Sequence, residues 1–433
     1  MNLVRGILGA AVLGLLVLAP TATAKTFVVN KRGDHPPKAC TKTDCTLREA
    51  VLAANKRNGD DRIRLPSRKP YRLTRDAGLP GADARKGDLN LGNAINEVGN
   101  AVTIVHPGAG RAIVDASAAN DRAIELTGVA TLKKIVLRRG ATLGSGGAIA
   151  SSGVLELVNT RIVRNETGDA GGAIYAGVGS VVARNTVLRR NNAWDGGGLF
   201  VGAGVGLELR RSTVALNEAD PGSGGGIWIS STALADSRIV ASTLSGNLAA
   251  SDGGAIRTSA ELLRIVNSTL DGNEADGRGG GIYGAPGSFA ALNAVTIARN
   301  RADADDAGVD SGGGLYGDGG SDVLEVDNSL IVRNRSTGGS VQECDTPAPV
   351  GIESLGGNLI TTTAGGCDFF TDPEDLLEAQ PRVGQLGDHG GPTKTAPLLA
   401  GSPAIDEADG HSPPARDQRG VLRTNPDIGA FER

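Results

Sequence analysis

Residues 222–230 read GSGGGIWIS, in which three consecutive glycines lead into an apolar triplet that holds one of the two tryptophans of the chain. Glycine weakens a strand because it has no side chain to pack, so its place here needs an explanation. The pattern is not unique, because two glycines, a small residue, an aliphatic residue and one further residue recur in seven copies. The copies are GGAIA 146–150, GGAIY 171–175, GGGLF 196–200, GGGIW 224–228, GGAIR 253–257, GGGIY 279–283 and GGGLY 312–316.

The repeat unit is 25 to 33 residues long. From one copy to the next, the aliphatic position advances by 25, 25, 28, 29, 26 and 33 residues. A column of asparagines keeps step with the motifs, and an aliphatic residue stands three positions before each asparagine. The asparagines are Asn165, Asn191, Asn217, Asn247, Asn273, Asn300 and Asn334. A repeat of this length indicates a solenoid of stacked units.

Alternating runs between the two columns predict β-strands. In VLEL 154–157, Leu155 and Leu157 would face one way and Glu156 the other, and similar runs recur at 206–209, 262–265 and 323–326. Each unit therefore predicts about three short strands, and stacking buries the apolar face that one unit cannot bury alone. We expect an all-β fold, a parallel β-helix that is right-handed by analogy. Its asparagines would form an amide ladder, and its glycines would allow positive φ where the coil bends.

The ends of the chain differ from the repeat. Arg5, an apolar run and Ala22-Thr23-Ala24 are typical of a cleaved secretory signal, so we expect residues 1–24 to be removed. Residues 25–62 predict an N-terminal cap, in which Thr46 and Glu49 form a capping box at the start of an amphipathic helix. We expect coils over 63–339 and an irregular C-terminal cap over 340–433, where the repeat is lost.

The charge and the cysteines of the chain indicate which classes of partner and which cellular compartment to expect. The formal net charge of −4 gives no argument for nucleic acid, and the apolar run near the N-terminus is short for a membrane span. Export implies an oxidising compartment, where sequence proximity favours pairing of Cys40 with Cys45 and of Cys344 with Cys367. Their spacing fits no common zinc pattern, which makes a metal site the weaker alternative. We expect a monomer.

Two stretches resemble segments of exported bacterial proteins. CTLREAVLAAN 45–55 resembles the signature of the CSLREA-domain proteins, and VTIVHPGAGRAIVDAS 102–117 is similar to the coil that follows it there. GGPTKTAPLLAGSPAIDEAD 390–409, DQRG 417–420 and DIGAFE 427–432 resemble the choice-of-anchor Q domain. The resemblance implies export and a pectin-lyase-like β-helix, but no particular activity. Such proteins often continue into an anchoring segment, and this sequence stops at Arg433, which favours a secreted or periplasmic protein.

The residue after each GGxI motif forms a candidate binding column. In order along the chain it reads Ala150, Tyr175, Phe200, Trp228, Arg257, Tyr283 and Tyr316, which includes five of the twelve aromatic residues. If the preceding aliphatic residue points inward, strand alternation turns this column outward. Sugar rings stack on such aromatic surfaces, so we predict a glycan-binding or adhesive surface, with Arg257 between Trp228 and Tyr283. The alternatives are that the C-terminal cap covers the column, or that it only stabilises a structural rod.

An aspartate stands shortly before each of six glycine motifs. The six are Asp169, Asp195, Asp220, Asp252, Asp276 and Asp310. Known parallel β-helices include pectin-degrading lyases and hydrolases, and carboxylates on adjacent coils could form a catalytic pair or a Ca²⁺ site. Asp195 and Asp252 are the catalytic candidates. Aspartate is also a favoured turn residue that bonds its own backbone, which is the simpler explanation of the pattern.

Overall fold

The computed structural model describes residues 23–75, 87–92, 101–230, 236–307, 311–319, 323–347, 351–408 and 411–433. The chain winds into a solenoid whose strands pair in parallel, coil upon coil, in four sheets. A complete coil visits sheets 1, 2, 3 and 4 in that order. The coil that begins at Val154–Val158, for example, continues through Arg161–Val163 and Glu166–Thr167 to Ile174–Ala176. The predicted all-β parallel solenoid is therefore confirmed.

The strands of the four sheets have the following bounds. Sheet 1 contains Thr26–Val28, Asp61–Arg64, Ala101–Val105, Val129–Lys133, Val154–Val158, Ser180–Arg184, Gly206–Arg210, Ser237–Val240, Leu263–Val266, Phe289–Asn293, Val323–Asp327 and Ile352–Ser354. Sheet 2 contains Tyr71–Arg72, Ala112–Asp115, Ile135–Arg138, Arg161–Val163, Val187–Arg189, Thr213–Ala215, Thr243–Ser245, Thr269–Asp271, Thr296–Ala298, Leu330–Val332, Leu359–Ile360 and Leu376–Leu377. Sheet 3 contains Ala141–Thr142, Glu166–Thr167, Asn192–Ala193, Glu218–Ala219, Leu248–Ala249 and Glu274–Ala275. Sheet 4 contains Leu89–Leu91, Ile124–Leu126, Ile149–Ser151, Ile174–Ala176, Leu199–Val201, Ile227–Ile229, Ile256–Thr258, Ile282–Gly284, Leu315–Gly317 and Cys344–Asp345.

Two features differ from the sequence prediction. Sheet 3 gives six coils a fourth strand, which the alternation pattern does not reveal because its strands are only two residues long. Strand pairing also continues past residue 339, since Ile352–Ser354 and Leu376–Leu377 extend sheets 1 and 2. These strands lack the glycine motif, so the sequence places the end of the solenoid too early.

The interior combines aliphatic columns with a buried amide ladder. Ile227 and Ile229 are fully buried on either side of the partly exposed Trp228, as strand alternation requires. At the turn between sheets 2 and 3, the Asn191 amide donates to Asn217 Oδ1 at 2.9 Å and to Ile162 O at 3.1 Å. The same side-chain bond joins each neighbouring pair from Asn165 to Asn334. The predicted asparagine ladder is confirmed, and it satisfies polar groups that water cannot reach.

A second ladder, of hydroxyl groups, lies at the turn between sheets 1 and 2. The backbone N–H of Thr186 donates to Ser212 Oγ at 3.1 Å, and Ser212 N–H donates to Ser242 Oγ at 3.1 Å. Ser242 N–H continues the series to Ser268 Oγ at 3.2 Å. The sequence analysis missed this ladder because threonine, serine and valine all occupy the position, so no single residue type marks it.

The N-terminal end is closed by the α-helix Leu47–Ala54, which packs on the first strands of sheets 1 and 4. Thr46 Oγ1 accepts from Glu49 N–H at 3.2 Å, and Glu49 Oε2 accepts from Thr46 N–H at 2.8 Å, which confirms the capping box. Arg48 is fully buried, and it joins the Asp34 carboxylate to the carbonyl oxygens of Gly87 and Asp88. The helix is thereby fixed over the opening of the solenoid.

Both expected disulfides are present, Cys40–Cys45 beside the helix and Cys344–Cys367 near the end of the coils. No helix in the described ranges has both the length and the apolar composition that a membrane crossing requires.

The C-terminal segment after Leu377 folds back over the outer face of sheet 2. Three threonines of successive sheet 2 strands hydrogen-bond this segment. The bonds join Thr243 Oγ1 to Lys394 O at 2.6 Å, Thr269 Oγ1 to Gln418 Oε1 at 2.6 Å and Thr296 Oγ1 to Ala430 N at 3.0 Å. Gln418 is buried and also donates to Thr393 Oγ1 at 2.9 Å, so the GGPT and DQRG motifs hold the segment in place.

The asparagine ladder predicts a large effect of one amide. In Asn191→Ala, the Asn165 amide would lose its acceptor and Ile162 O its donor inside the solenoid. We expect the free energy of unfolding to fall by about 3 kcal/mol in urea denaturation, because buried unpaired polar groups are costly. The control is Asn192→Ala. Asn192 is the next residue along the chain and is partly exposed, so its substitution should change stability by less than about 0.5 kcal/mol. Equal effects of the two substitutions would contradict the ladder's role.

The last rung of the ladder predicts a pH dependence. Glu343 accepts from Asn334 Nδ2 at 2.6 Å and from Arg333 N–H at 2.7 Å, but its burial outweighs these bonds and raises its pKa to about 7. The folded protein then binds more protons than the unfolded chain between about pH 4.3 and 7. The stability that this group contributes is full below that window, and we expect it to be lost as the pH rises through 7. Denaturation of Glu343→Gln across pH 4–8 should show a flatter profile than that of the wild type.

Candidate functional site

The residues that follow the GGxI motifs occupy one register position of sheet 4. Strand pairing joins Tyr175 to Phe200, Phe200 to Trp228, and Trp228 to Arg257. It continues from Arg257 to Tyr283 and from Tyr283 to Tyr316, with Ala150 at the other end. The seven side chains therefore form one line on the outside of the sheet, which we call the aromatic column.

The members of the aromatic column stack on one another. The ring centroids of Tyr175 and Phe200 are 5.3 Å apart, as are those of Phe200 and Trp228. Arg257 Cζ lies 4.4 Å from the Trp228 ring and 5.5 Å from the Tyr283 ring, so the guanidinium is held between two π faces. The Tyr283 and Tyr316 rings are 5.6 Å apart and nearly parallel. Since the separation of strands is about 4.8 Å, this stacking follows directly from the coil register.

Exposure falls along the column. Tyr175, Phe200, Trp228 and Arg257 are partly exposed, whereas Tyr283 and Tyr316 are only 4% and 5% exposed. The Tyr283 hydroxyl donates to Asp318 Oδ2 at 2.6 Å, and burial, followed by this carboxylate, raises the pKa of Tyr283. The accessible part of the column is therefore the half that runs from Tyr175 to Arg257.

The C-terminal segment lies away from the accessible half of the column. Its hydrogen bonds to sheet 2 involve Thr243, Thr269 and Thr296, whereas the column stands on sheet 4. Within the described residues, Trp228 Nε1 has no hydrogen-bond acceptor, so stacking and not hydrogen bonding holds the indole in place. The partial exposure of Trp228 is thus a property of the assembled chain.

The six aspartates do not form one column, which corrects the sequence interpretation. Asp195 and Asp252 share a turn position, but Ser223 stands between them, which sets them two coils or about 10 Å apart. Asp195 Oδ1 accepts from Ser223 N–H at 2.9 Å, and Asp252 Oδ1 accepts from Arg278 N–H at 3.0 Å. Each catalytic candidate therefore holds the backbone of the next coil, and its hydrogen bond is not the bond to its own turn that the simpler explanation expects.

The remaining aspartates occupy other positions. Asp220 and Asp276 occupy the same coil position as Trp194, directly after the strands of sheet 3. Asp169 accepts from Ser145 Oγ at 2.6 Å. Asp310 lies outside the described residues. Burial raises the pKa of Asp195, and burial with the nearby acids Asp305, Glu274 and Asp220 raises that of Asp276. The corner beside the aromatic column is therefore rich in carboxylates.

Two features of the surface were missed from the sequence. Trp194 is 54% exposed at the corner between sheets 3 and 4. The sequence could have drawn attention to it, because the chain has only two tryptophans. In the described parts of the chain, the one group of metal-ligand side chains is His35, Asp44 and Glu49, whose ligand atoms lie within 4.8 Å of one another. Both Glu49 oxygens already accept backbone N–H groups, and the group is at the N-terminal cap.

The comparisons with known proteins support the fold and nothing more specific. No family model and no curated protein matches the sequence, so the resemblance to the CSLREA and choice-of-anchor Q segments has no support from them. Among solved structures, the crystal structure of pectate lyase Pel9A aligns with a TM-score of 0.53 and 15% sequence identity, covering 96% of this chain and 98% of that one. The chain thus has the pectin-lyase-like right-handed β-helix fold.

The stack predicts a contribution of Arg257 to stability. In Arg257→Ala, the contacts of the guanidinium with the Trp228 and Tyr283 rings are lost. We expect the free energy of unfolding to fall by about 1 kcal/mol in urea denaturation, since a partly desolvated cation–π contact has this magnitude. Arg189→Ala is the control, because Arg189 is exposed on sheet 2 and should cost much less. If Arg257→Ala proves as stable as Arg189→Ala, the contacts of Arg257 with Trp228 and Tyr283 do not stabilise the fold, and the prediction is wrong.

Proposed function

We propose that the aromatic column is a non-catalytic binding surface for glycans, on a protein that acts outside the cytoplasm in binding or adhesion. The observation that carries the proposal is the partly exposed stack of Tyr175, Phe200, Trp228 and Arg257 in register on sheet 4. Exposed aromatic rows mark interaction sites, and ring faces suit the apolar faces of sugars. A stack of four positions spans about 15 Å, which suits an extended chain of several sugar units more than a single sugar.

The surrounding charge favours a neutral or amino glycan over a polyuronate. Asp195 is close enough to Arg257 to interact with it electrostatically, while Asp252 and Asp318 lie near Tyr283 at the buried end of the column. Arg278 lies over the Tyr316 ring and pairs with Asp318. The three carboxylates outnumber the two arginines, Arg257 and Arg278, and would repel a polymer of negative charge. Specificity of this kind supports recognition of cell-wall or other structural polysaccharides.

Export of the protein is part of the proposal. The signal-like N-terminus, the two disulfides and the CSLREA-like and choice-of-anchor Q-like segments all support a secreted or periplasmic location for a member of that exported group. The purely structural rod stays the simplest alternative, and it requires that the column bind nothing.

A polysaccharide lyase or hydrolase is the second candidate, favoured by the likeness of the fold to pectate lyase Pel9A. A fold hosts many functions, so the site has to supply the argument. Asp195 and Asp252 each accept a backbone N–H of the next coil and stand two coils, or about 10 Å, apart, which weighs against a carboxylate pair. Release of reducing sugar or of unsaturated product from any member of a broad polysaccharide panel, lost in Asp195→Asn or Asp252→Asn, would establish the enzyme instead.

The binding proposal predicts the effect of removing one ring. Trp228→Ala should lower retention on insoluble neutral or amino polysaccharides by roughly tenfold in affinity, because the central stacking face is lost. The measurement is depletion by chitin, chitosan, cellulose and xylan, with soluble polygalacturonate as the polyuronate comparison. Trp194→Ala removes the other tryptophan, off the column, and is the matched control. Retention that Trp228→Ala leaves unchanged, or that Trp194→Ala lowers equally, would contradict the proposed surface.

A further inference from the structure

We propose that cleavage after Ala24 creates an α-ammonium group on Lys25 that forms an ion pair with the buried carboxylate of Asp61. The pair would tie the new N-terminus to the first coil, so that removal of the signal completes the N-terminal end of the solenoid. This inference rests on the proposed export and signal cleavage, but it does not depend on the proposed glycan surface, since it concerns sheet 1 and the N-terminal cap.

The receptor for the new terminus is already formed. Lys25 N donates to Asp61 Oδ1 at 2.8 Å, and Asp61 is only 2% exposed. The second oxygen, Asp61 Oδ2, is buried and has no hydrogen-bond donor among the described residues. Arg57 Nε lies 3.4 Å from Oδ2, but it makes no hydrogen bond there. A buried carboxylate oxygen without a donor is costly, so this oxygen points to a partner beyond those that the described residues of the uncleaved chain supply.

Cleavage supplies that partner. Hydrolysis by a signal peptidase breaks the Ala24–Lys25 amide bond, and water gives its hydroxyl to the Ala24 carbonyl carbon and a proton to Lys25 N. At neutral pH the amine takes up a further proton from solvent, and so it carries three N–H donors and a positive charge. One donor keeps the bond to Oδ1, and a second is available to Oδ2. A neutral hydrogen bond becomes a charge-assisted pair, which is about twice as strong.

The same cleavage releases Arg57. Its Nη2 donates to Thr23 O at 3.1 Å, and Thr23 leaves with the signal segment. Among the described residues, Asp61 is the other group with which the guanidinium pairs. Thr23, Ala24 and Lys25 are all exposed, so the bond to be cut is accessible in the folded chain.

Lys25 directly precedes the first strand of sheet 1, so an ion pair between Lys25 and Asp61 would affect that strand. Among the described residues, Thr26–Val28 is the terminal strand of sheet 1 and pairs with Asp61–Arg64 alone. An end strand with one neighbour frays readily, and an ion pair at its first residue would hold it closed. The proposal therefore predicts protection of residues 26–29 that depends on a free α-amino group at position 25.

The test compares two forms of the wild-type protein released from a fusion, one beginning at Lys25 and one that retains Ala24. Hydrogen exchange of the amides of residues 26–29 should be roughly tenfold faster with Ala24 present, because the charged pair is lost. In Asp61→Asn the two forms should exchange equally fast. Glu261→Gln neutralises an exposed carboxylate in the same solenoid, and it should preserve the wild-type difference. N-terminal sequencing of the exported protein should give Lys25 as the first residue.

Three results would overturn the proposal. They are an exported chain that begins elsewhere, equal exchange of the two wild-type forms, or an effect of Ala24 that persists unchanged in Asp61→Asn. The wild-type comparison needs no substitution, so the proposal can be refuted even if Asp61→Asn does not fold. None of these results bears on retention by polysaccharides, which separates this test from that of the glycan surface.

Discussion

The molecule depends on the short, constant step between stacked coils, and the glycine motif makes that step possible. Gly224 has a φ of +69°, which lets the chain turn into sheet 4 at a position that disfavours other residues. A Cβ atom on the next residue, Gly225, would strike the carbonyl oxygens of Leu248 and Gly254 in the neighbouring coil. Both glycines are therefore needed for the backbones to approach, and the glycines that looked out of place in a strand set its register.

The same step organises the polar interior and explains how the C-terminal end is finished. Along the asparagine ladder each backbone N–H donates to a side-chain oxygen of the next coil, and several positions of the hydroxyl ladder do the same, so the last coil lacks an acceptor. A carboxylate supplies it at both ladders. Glu343 accepts from Asn334 N–H at 3.0 Å. At the end of the hydroxyl ladder, Ser329 N–H donates to Asn358 Oδ1 at 2.8 Å, and Asp375 accepts from Asn358 N–H at 3.0 Å. The solenoid thus ends on acidic residues that continue its hydrogen bonding without another coil.

The repeat made the fold, the asparagine ladder and the alignment of the aromatic column predictable, because each needs only equal spacing between units. The helix Leu47–Ala54 was predictable from its local capping box. The aspartates were misinterpreted although the sequence holds the signal: Asp195 and Asp252 stand four residues before the aliphatic position, and the others five to seven. The path of the C-terminal segment was not predictable, because its contacts with sheet 2 join residues about 150 positions apart through single side chains such as Gln418.

The most direct test of this account is the tryptophan emission of Gly225→Ala in a Trp194→Phe background, where Trp228 is the sole fluorophore of its kind. If the glycine sets the coil register, the added methyl group separates Trp228 from Arg257 and shifts the emission. Gly206→Ala is the control, because its Cβ would meet no atom closer than 3.9 Å, and its emission should match that of Trp194→Phe alone. Unchanged emission in a folded Gly225→Ala protein would contradict the claim that the glycine motif sets the register of the aromatic column.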